Sequence, residues 1–224
     1  MMSDRLGVIF DMDGVLVDSY DAHLKSWRRV AREHELDVSD EDFARTFGRT
    51  SREIIRTLWP GKLDDAQIDA FDQKKEQAYR DILSADFPEM TGASELIGQL
   101  HAAGFALAIG SSGPPENVQL VVGKLRNGNL FTATVNGTEV QRGKPEPDVF
   151  RIAARKLHLP PQNCAVVEDA LAGIEATRRA GMVAIGLVGT TTREALSQRS
   201  HIVVDSLSQL SPQRIQAELS VHSG

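Results

Sequence analysis

The feature that most constrains this chain is an alternation of short, continuously apolar runs with stretches of helical spacing. Strands that are buried on both faces of a parallel sheet carry apolar residues at every position, not at every second one. The sequence therefore predicts an α/β fold, a Rossmann-like parallel sheet with helices on both faces. The predicted strands are residues 8–10, 105–109, 132–135, 164–167, 183–188 and 202–204, and the helices between them include 94–103, 148–157 and 170–180.

The segment from residue 19 to residue 86 differs from the rest, because it has many charges and no convincing strand. Helical spacing recurs there over residues 23–35, 40–46, 51–59 and 65–83. A helical block between the first strand and the next βα unit indicates an insertion. The sequence thus predicts a core domain from residues 1–18 and 87–224 and an all-helical cap domain over residues 19–86. The alternative is one mixed domain with a helical edge.

The composition and the net charge exclude some classes of function. The chain has 224 residues, of which 41% are hydrophobic, so it can bury a sizeable core. The net charge of −6 provides no electrostatic footprint for nucleic acid or an anionic membrane. No stretch is long and apolar enough to span a bilayer, and residues 1–5 lead directly into an apolar run without a cleavage-like signal. We expect a cytoplasmic protein without nucleic-acid or membrane partners and with no protein partner evident. The single cysteine, Cys164, is predicted to be a core residue.

The first candidate motif follows the first predicted strand and contains Asp11 and Asp13. Residues i and i+2 of an extended segment project to the same side, so both carboxylates can face one reaction centre. Two alternatives compete with this interpretation. A calcium loop would need an oxygen ligand where Val15 stands, and a solvated turn would not explain several aspartates around an apolar run.

Two further motifs suit phosphoryl oxygens. Ser111 and Ser112, followed by Gly113, end the second predicted strand, and a hydroxyl with neighbouring N–H groups can bind an anion there. Lys144 stands between a glycine and a proline and can act as a positioned charge. Each signal is weak alone, because Ser-Gly turns are common and a lysine is usually solvated on the protein surface.

The fourth motif is the acidic pair Glu168 and Asp169 at the end of the strand that begins at Cys164. Paired acids at a strand end can complete an oxygen-only Mg²⁺ site. The competing interpretation makes Asp169 the N-cap of the following helix, where aspartate is favoured.

Together and in this order, the four motifs resemble the haloacid dehalogenase superfamily of phosphotransferases, over roughly residues 5 to 205. Within it they resemble the group of β-phosphoglucomutases and small sugar-phosphate phosphatases, which carry a helical cap in the same place. The resemblance implies that Asp11 is the nucleophile and Asp13 the general acid/base. It implies Mg²⁺ as cofactor, with Asp11, the Asp13 carbonyl and Asp169 as ligands and Glu168 ligating or orienting water. Ser111 and Lys144, with Ser112 beside them, would hold the phosphoryl oxygens.

The resemblance leaves the phosphoryl acceptor open. A phosphatase acting on a small phosphorylated metabolite, such as a sugar phosphate, would pass the group from an aspartyl-phosphate to water. A mutase needs a second phosphate site, and Gly113, Pro114 and Pro115 offer no side-chain donors for one. Two residues favour a mutase. His23 matches a cap histidine of the mutases, although it can equally be an exposed helix residue, and Arg52 aligns near their distal-phosphate arginine. Arg49 and Arg52 are the candidate cap contacts to substrate.

Other activities rank lower. Dehalogenases of the superfamily lack the second aspartate, so Asp13 argues against that chemistry. A phosphonate-cleaving enzyme would need a Schiff-base lysine in the cap, and none of the cap lysines has a recognisable setting; they are Lys25, Lys62, Lys74 and Lys75. A non-catalytic phosphate-binding protein on the same fold remains an alternative from another class.

Overall fold

The computed structural model describes residues 5–46 and 50–222 and contains six β-strands within them. All six were predicted, and their bounds differ from the predicted ones by at most one residue. The strands are β1 (Gly7–Phe10), β2 (Ala106–Gly110), β3 (Ala133–Val135), β4 (Cys164–Glu168), β5 (Val183–Leu187) and β6 (Ile202–Val204).

The strands form one parallel sheet in the order β3-β2-β1-β4-β5-β6. Every residue of β1, β2, β4 and β5 is buried, which is why these strands carry no charged residue except Glu168 at the end of β4. Phe10 lies opposite Ile109 of β2 on one side and Val167 of β4 on the other. The residue after β1 is therefore placed between the carboxyl ends of two neighbouring strands, where ligands bind in open α/β sheets.

The chain divides into two compact units, Met1–Asp18 with Glu89–Gly224, and Ser19–Pro88. The first we call the sheet unit and the second the helical unit; the second ends two residues beyond the predicted boundary at residue 86. The helical unit contains α1 (Tyr20–Glu33), α2 (Asp40–Thr46), α3 (Ser51–Leu58) and α4 (Asp65–Ala85). None of the helices in the described part of the chain is long and apolar enough to cross a lipid bilayer.

The helical unit has an aromatic core of its own. The ring of Phe71 from α4 lies 5.3 Å from that of Trp27 and 5.6 Å from that of Trp59, centroid to centroid. Side chains also define where two helices begin, because Thr50 and Asp64 each form a capping box with the residue three positions later. Local sequence and burial thus agree on the helical character of this unit.

The remaining helices belong to the sheet unit and are α5 (Ala93–Ala102), α6 (Pro115–Lys124), α7 (Asp148–Lys156), α8 (Leu171–Ala180), α9 (Arg193–Ser197) and α10 (Pro212–His222). Three of them, α6, α9 and α10, were not predicted. Leu219 near the carboxyl end is buried, and α10 continues to His222.

A hydrophobic cluster on the sheet confirms that Cys164 is a core residue. It is buried there with Phe150 and Ala153 of α7 and Ala176 of α8. Burial raises the pKa of the Cys164 thiol to about 12, so the thiol stays protonated near neutral pH.

Candidate active site

The turn after β1 is built around the first acidic motif. The Asp11 N–H donates to the Val167 carbonyl at 2.9 Å, which ties the start of the turn to β4. The chain then folds back, with the Gly14 N–H donating to the Val17 carbonyl at 2.9 Å. Gly14 has a φ of +75°, and a Cβ there would lie 2.2 Å from Oδ2 of Asp169. Only glycine allows both this backbone conformation and this close approach.

Asp11 and Asp13 interact across this turn. Asp11 is 7% exposed and Asp13 is half-buried. Burial raises the pKa of Asp11, the negative charge of Asp13 raises it further, and Lys144 acts in the opposite direction. The two carboxylates are therefore close enough to influence each other, as the i, i+2 spacing predicts.

Lys144 reaches the buried acids from the loop before α7. Its Nζ donates to Oδ1 of Asp11 at 2.6 Å and to Oε2 of Glu168 at 2.8 Å, and lies 5.0 Å from the ring centroid of Phe150. Burial alone would lower the pKa of this lysine, but the two carboxylates outweigh it and raise the pKa above its usual value. The lysine is thus a half-buried, charged donor paired with two acids, and the alternative of a solvated surface lysine is wrong.

The acidic pair at the end of β4 lies against the same centre. Oxygens of Asp11, Glu168 and Asp169 all lie within 4.8 Å of one another. Burial, followed by the charge of Asp11, raises the pKa of Glu168 to about 8 and that of Asp169 to about 7. The N-cap alternative for Asp169 is wrong, since the N-cap of α8 is Ala170.

The first turn of α8 holds Glu168 in place. The Ala170 N–H donates to Oε1 of Glu168 at 3.2 Å. A Cβ at Gly173 would lie 2.1 Å from the carboxyl carbon of Glu168, so the helix can approach this side chain only with glycine there. The position of Glu168 therefore depends on backbone groups as well as on Lys144.

Ser111 and Ser112 follow β2, the strand beside β1. Ser111 is 1% exposed, and its Oγ accepts from the Gly113 N–H at 3.0 Å while its own N–H donates to the Val135 carbonyl at 3.0 Å. Ser112 is exposed. The second motif thus lies at the same sheet edge as the acids, and Ser111 is the more enclosed of the two hydroxyls.

The acids of this site fit a hard divalent cation. Mg²⁺ takes oxygen ligands, and Asp11, Glu168 and Asp169 supply a compact set of buried carboxylate oxygens. Three carboxylates lie around one lysine, and after burial the negative charge of Asp11 contributes to the raised pKa values of Glu168 and Asp169. A cation bound among them would relieve that repulsion.

In the helical unit, His23 is half-buried and interacts with Lys75 rather than standing exposed on its helix. Lys75 is 4% exposed and donates to Nδ1 of His23 at 3.0 Å and to Oε1 of Glu76 at 2.7 Å. The His23 ring stacks on Tyr79 with 4.2 Å between centroids, and Lys75 Nζ lies 5.9 Å from the ring centroid of Trp27. These residues form what we call the Lys75 cluster.

Of the two arginines proposed as substrate contacts, the structure describes Arg52. Arg52 of α3 donates to Oδ1 of Asp65 at 2.8 Å and also pairs with Asp69, both on α4. Its guanidinium is thus engaged in ion pairs within the helical unit. Arg49 lies outside the described residues.

Sequence reasoning missed three features of these sites. Thr190, just after β5, hydrogen-bonds to Asp169, and its place at a strand end could have indicated it. Lys75 shares a helix face with the buried Phe71 and Tyr79, and that spacing could have shown it to be buried. The contact of Gly173 with Glu168 depends on how α8 packs, and we see no signal for it in the sequence.

The sequence matches known proteins over most of its length. Residues 6–181 match the family model described as haloacid dehalogenase-like hydrolase. The chain is 33% identical over 206 residues to hexitol phosphatase A of Escherichia coli, covering 91% of this chain and 92% of that protein. It is 30% identical over 187 residues to a β-phosphoglucomutase of Bacillus subtilis, covering 80% and 82%.

The fold has known counterparts as well. A crystal structure of a haloacid dehalogenase hydrolase, family IA, variant 3, from Entamoeba histolytica superposes with a TM-score of 0.88 at 23% identity, covering 96% of this chain and 100% of that one. This likeness supports the α/β Rossmann-like fold predicted from the sequence. With the family match over most of its length, the chain belongs to the haloacid dehalogenase-like hydrolases and is an enzyme of that family.

Proposed function

We propose that the protein is a Mg²⁺-dependent phosphatase that hydrolyses a small phosphate monoester, a sugar phosphate, through an aspartyl-phosphate on Asp11. The observation that carries this proposal is the environment of the Asp11 carboxylate. It is buried, held by Lys144 at 2.6 Å, and within 4.8 Å of oxygens of two further acids. Such a centre can neutralise a phosphoryl group that would otherwise repel an attacking carboxylate.

In the first step, a carboxylate oxygen of Asp11 attacks the phosphorus in line with the ester oxygen. The bond between phosphorus and the sugar oxygen breaks, and Asp13, in its protonated form, gives its proton to the departing oxygen. The products are an acyl phosphate on Asp11, a free sugar hydroxyl and an ionised Asp13. Because Asp13 is half-buried, it can exchange protons with solvent between turnovers.

In the second step, water attacks the phosphorus of the acyl phosphate and Asp13 accepts its proton. The bond between phosphorus and the Asp11 oxygen breaks, which releases inorganic phosphate and regenerates both carboxyl groups in their starting states. Lys144 and the Ser111 hydroxyl would hold the phosphoryl oxygens throughout. Mg²⁺, bound through Asp11 and Asp169 with the Asp13 carbonyl and Glu168, would supply further charge neutralisation.

The choice of a sugar phosphate as substrate rests on relatives. One protein that is 33% identical is named a hexitol phosphatase, and another, 30% identical, is named a fructose-1-phosphate phosphatase. We propose that the helical unit acts as the cap and supplies the residues that select the substrate. Among the candidate contacts, Arg52 pairs with two aspartates through its guanidinium, and His23 accepts from Lys75 through Nδ1.

A β-phosphoglucomutase-type reaction is the second candidate, supported by 30% identity to a protein of that name. A mutase must bind a second phosphate group. The residues after Ser112 are Gly113, Pro114 and Pro115, and they provide no side-chain donor; Pro115 opens α6 and lacks an N–H. This observation favours water as the acceptor.

The aspartyl-phosphate is tested by replacing Asp11 with asparagine. An amide is a poor nucleophile and a poor Mg²⁺ ligand, so Asp11→Asn should reduce phosphate release from an aryl phosphate to background. Asp18→Asn, at an exposed acid in the same segment, serves as the control and should leave turnover unchanged. In the wild type, beryllium trifluoride should form its adduct on Asp11; an adduct on another residue would contradict the mechanism.

The acceptor is tested with β-glucose 1-phosphate. We expect phosphate release to exceed glucose 6-phosphate formation, and β-glucose 1,6-bisphosphate to give no stimulation. Isomerisation that outruns hydrolysis by orders of magnitude would identify the enzyme as a mutase.

A further inference from the structure

Two neighbouring strands of the sheet, β2 and β3, end in turns that are bonded to each other. Residues 111–113, which we call the serine turn, follow β2, and residues 136–139, which we call the Gly137 turn, follow β3. Gly110, the last residue of β2, lies opposite Val135, the last residue of β3. The two turns therefore leave the sheet side by side, at the edge where the buried acids lie.

Backbone hydrogen bonds join the two turns. The Ser111 N–H donates to the Val135 carbonyl at 3.0 Å, and the Gly137 N–H donates to the Gly113 carbonyl at 2.8 Å. The Gly113 N–H in turn donates to Oγ of Ser111 at 3.0 Å. The two peptide groups of Gly113 thus connect the backbone of Gly137 to the hydroxyl of Ser111.

The bond from Gly113 determines how the Ser111 hydroxyl can act. Because its oxygen accepts from the Gly113 N–H, one lone pair is occupied and the hydroxyl hydrogen can still be donated. A phosphoryl oxygen carries negative charge and accepts, so it requires such a donor. Ser111 is 1% exposed, so its direction is set by protein groups rather than by solvent.

The serine turn approaches Gly137 so closely that only glycine fits there. A Cβ at this position would lie 2.3 Å from the Ser112 carbonyl oxygen and 3.3 Å from the Gly113 carbonyl oxygen. Gly137 does not have a positive φ, so space rather than backbone conformation requires glycine. A methyl group at this position would have to displace one of the two turns.

The Gly137 turn is held in place by its own side chains. Oδ1 of Asn136 accepts from the Thr138 N–H at 3.0 Å, and Oε1 of Glu139 accepts from the Asn136 N–H at 3.1 Å. Lys156 of α7 pairs with Glu139 and so ties the turn to a helix. Because this side is fixed, we expect a methyl group on Gly137 to shift the serine turn.

We propose that Gly137 is a positioning residue, whose backbone holds the Ser111 hydroxyl in the direction that binds a phosphoryl oxygen. This inference rests on the proposed function, since it takes Ser111 as a ligand of the phosphoryl group. Gly137 acts through Gly113, which accepts from Gly137 and donates to Ser111. None of these contacts involves the acids around Asp11, so phosphate binding should depend on Gly137 and metal binding should not.

The test compares the wild type with Gly137→Ala, Ser111→Ala and the double variant. Gly123→Ala is the matched control, because a methyl group at that position of α6 has no atom within 4 Å. Inhibition by inorganic phosphate is measured with an aryl phosphate as substrate. Binding of Mn²⁺ to each full-length protein is followed through the electron paramagnetic resonance signal of the free ion.

Gly137→Ala and Ser111→Ala should each weaken inhibition by phosphate about tenfold, the effect of losing one hydrogen bond to a charged group. In the double variant the loss should stay within about twofold of that in Ser111→Ala, because both changes act on the same hydroxyl. Gly123→Ala should leave inhibition by phosphate unchanged. The Mn²⁺ affinity of all variants should stay within about twofold of the wild type, which a general distortion of the site would not allow.

Asn136→Ala keeps the test decisive where urea unfolding shows that Gly137→Ala is not folded. It removes the side chain that fixes the Gly137 turn and should weaken inhibition by phosphate about threefold. Unchanged inhibition in the folded variant, or additive losses in the double variant, would overturn the positioning role and leave the proposed function intact. Ser111→Ala with the phosphate inhibition of the wild type would instead contradict the role of Ser111 in the proposed function.

Discussion

In each unit of this protein a lysine ammonium lies among polar partners, half-buried at Lys144 and buried at Lys75, but the two surroundings differ in charge. In the sheet unit, the Lys144 ammonium meets Asp11 and Glu168, and Asp169 lies beside them. In the helical unit, Lys75 meets one carboxylate, Glu76, and an imidazole. The first group carries more negative than positive charge, whereas the second pairs one cation with one anion.

This difference shows that enclosed charged groups can contribute either to stability or to a reactive site. Burying charge costs free energy unless the charges are paired and hydrogen-bonded. The Lys75 cluster meets this requirement with its own side chains and two aromatic faces. The acids around Asp11 do not, as the raised pKa values of Glu168 and Asp169 indicate. An unbalanced buried site of this kind is suited to bind an additional cation and an anionic substrate.

The largest expected effect is the loss of turnover when Lys144 is replaced by methionine. The same substitution at Lys75 provides the comparison. Lys144→Met should lower turnover by about 10²- to 10³-fold, because a charged donor to the phosphoryl group is lost. It should change Mg²⁺ affinity little. Lys75→Met should instead destabilise the protein by about 1–3 kcal/mol, because the buried ion pair with Glu76 is lost, and should leave Mn²⁺ binding unchanged. Steady-state kinetics and urea unfolding measure both; a Lys75→Met protein that no longer binds Mn²⁺ would contradict the contrast.

The next effect is the pH dependence of stability without metal. The pKa of Glu168 rises from 4.5 to about 8 and that of Asp169 from 3.8 to about 7 on folding. Between the unfolded and the folded pKa of each group, the folded state binds more protons than the unfolded state. The free energy of unfolding therefore falls as the pH rises from about 4 to about 8. We expect the Tm without metal to drop on the order of 15 °C between pH 5 and pH 8.

Saturating Mg²⁺ should offset most of this drop, because a cation among the carboxylates favours their ionised forms. Calorimetry with and without Mg²⁺ tests this, and Asp169→Asn provides the control, since one of the two groups then no longer titrates. A Tm that rises steadily from pH 5 to pH 8 without metal would contradict the raised pKa values.

The smallest effect separates two glycines of the sheet unit. A methyl group at Gly173 would meet the Glu168 carboxyl group at 2.1 Å, so Gly173→Ala should destabilise the protein by about 1–3 kcal/mol and weaken Mn²⁺ binding. Gly123 lies within α6 with no atom within 4 Å of such a methyl group, so Gly123→Ala should stabilise by about 0.4–1 kcal/mol. Urea unfolding measures both; equal effects would show that α8 can shift away from Glu168.

The sequence predicted the strands well, because a strand buried on both faces needs apolar residues at each position. Helix prediction was less complete. Helix α6 was missed although proline is tolerated in the first helical turn, where the N–H lacks a partner, and α6 begins at Pro115. Helix α9 spans only Arg193–Ser197, too short for a periodic pattern, and few apolar residues mark α10.

Much of the candidate site could also be predicted, because its residues stand in short segments directly after strands. Asp11, Ser111 and Glu168 each follow or end an apolar run, so their common edge was implied by a parallel sheet. Thr190 follows a strand in the same way, but its side chain belongs to a run of three threonines with no chemical signature. The burial of Lys75 was missed because lysine on a charged helix is normally exposed.

By itself, the sequence determined the local parts of this protein: which runs are buried strands, which segment is helical, and where acidic, hydroxyl and lysine side chains follow strand ends. Only the tertiary structure decided which of these parts meet. The sheet order places β1 between β2 and β4, and the loop before α7 brings Lys144 to Asp11 across 133 positions of sequence. The physical reason is that the charge balance of a buried site depends on distances between segments remote in sequence, which local patterns do not encode.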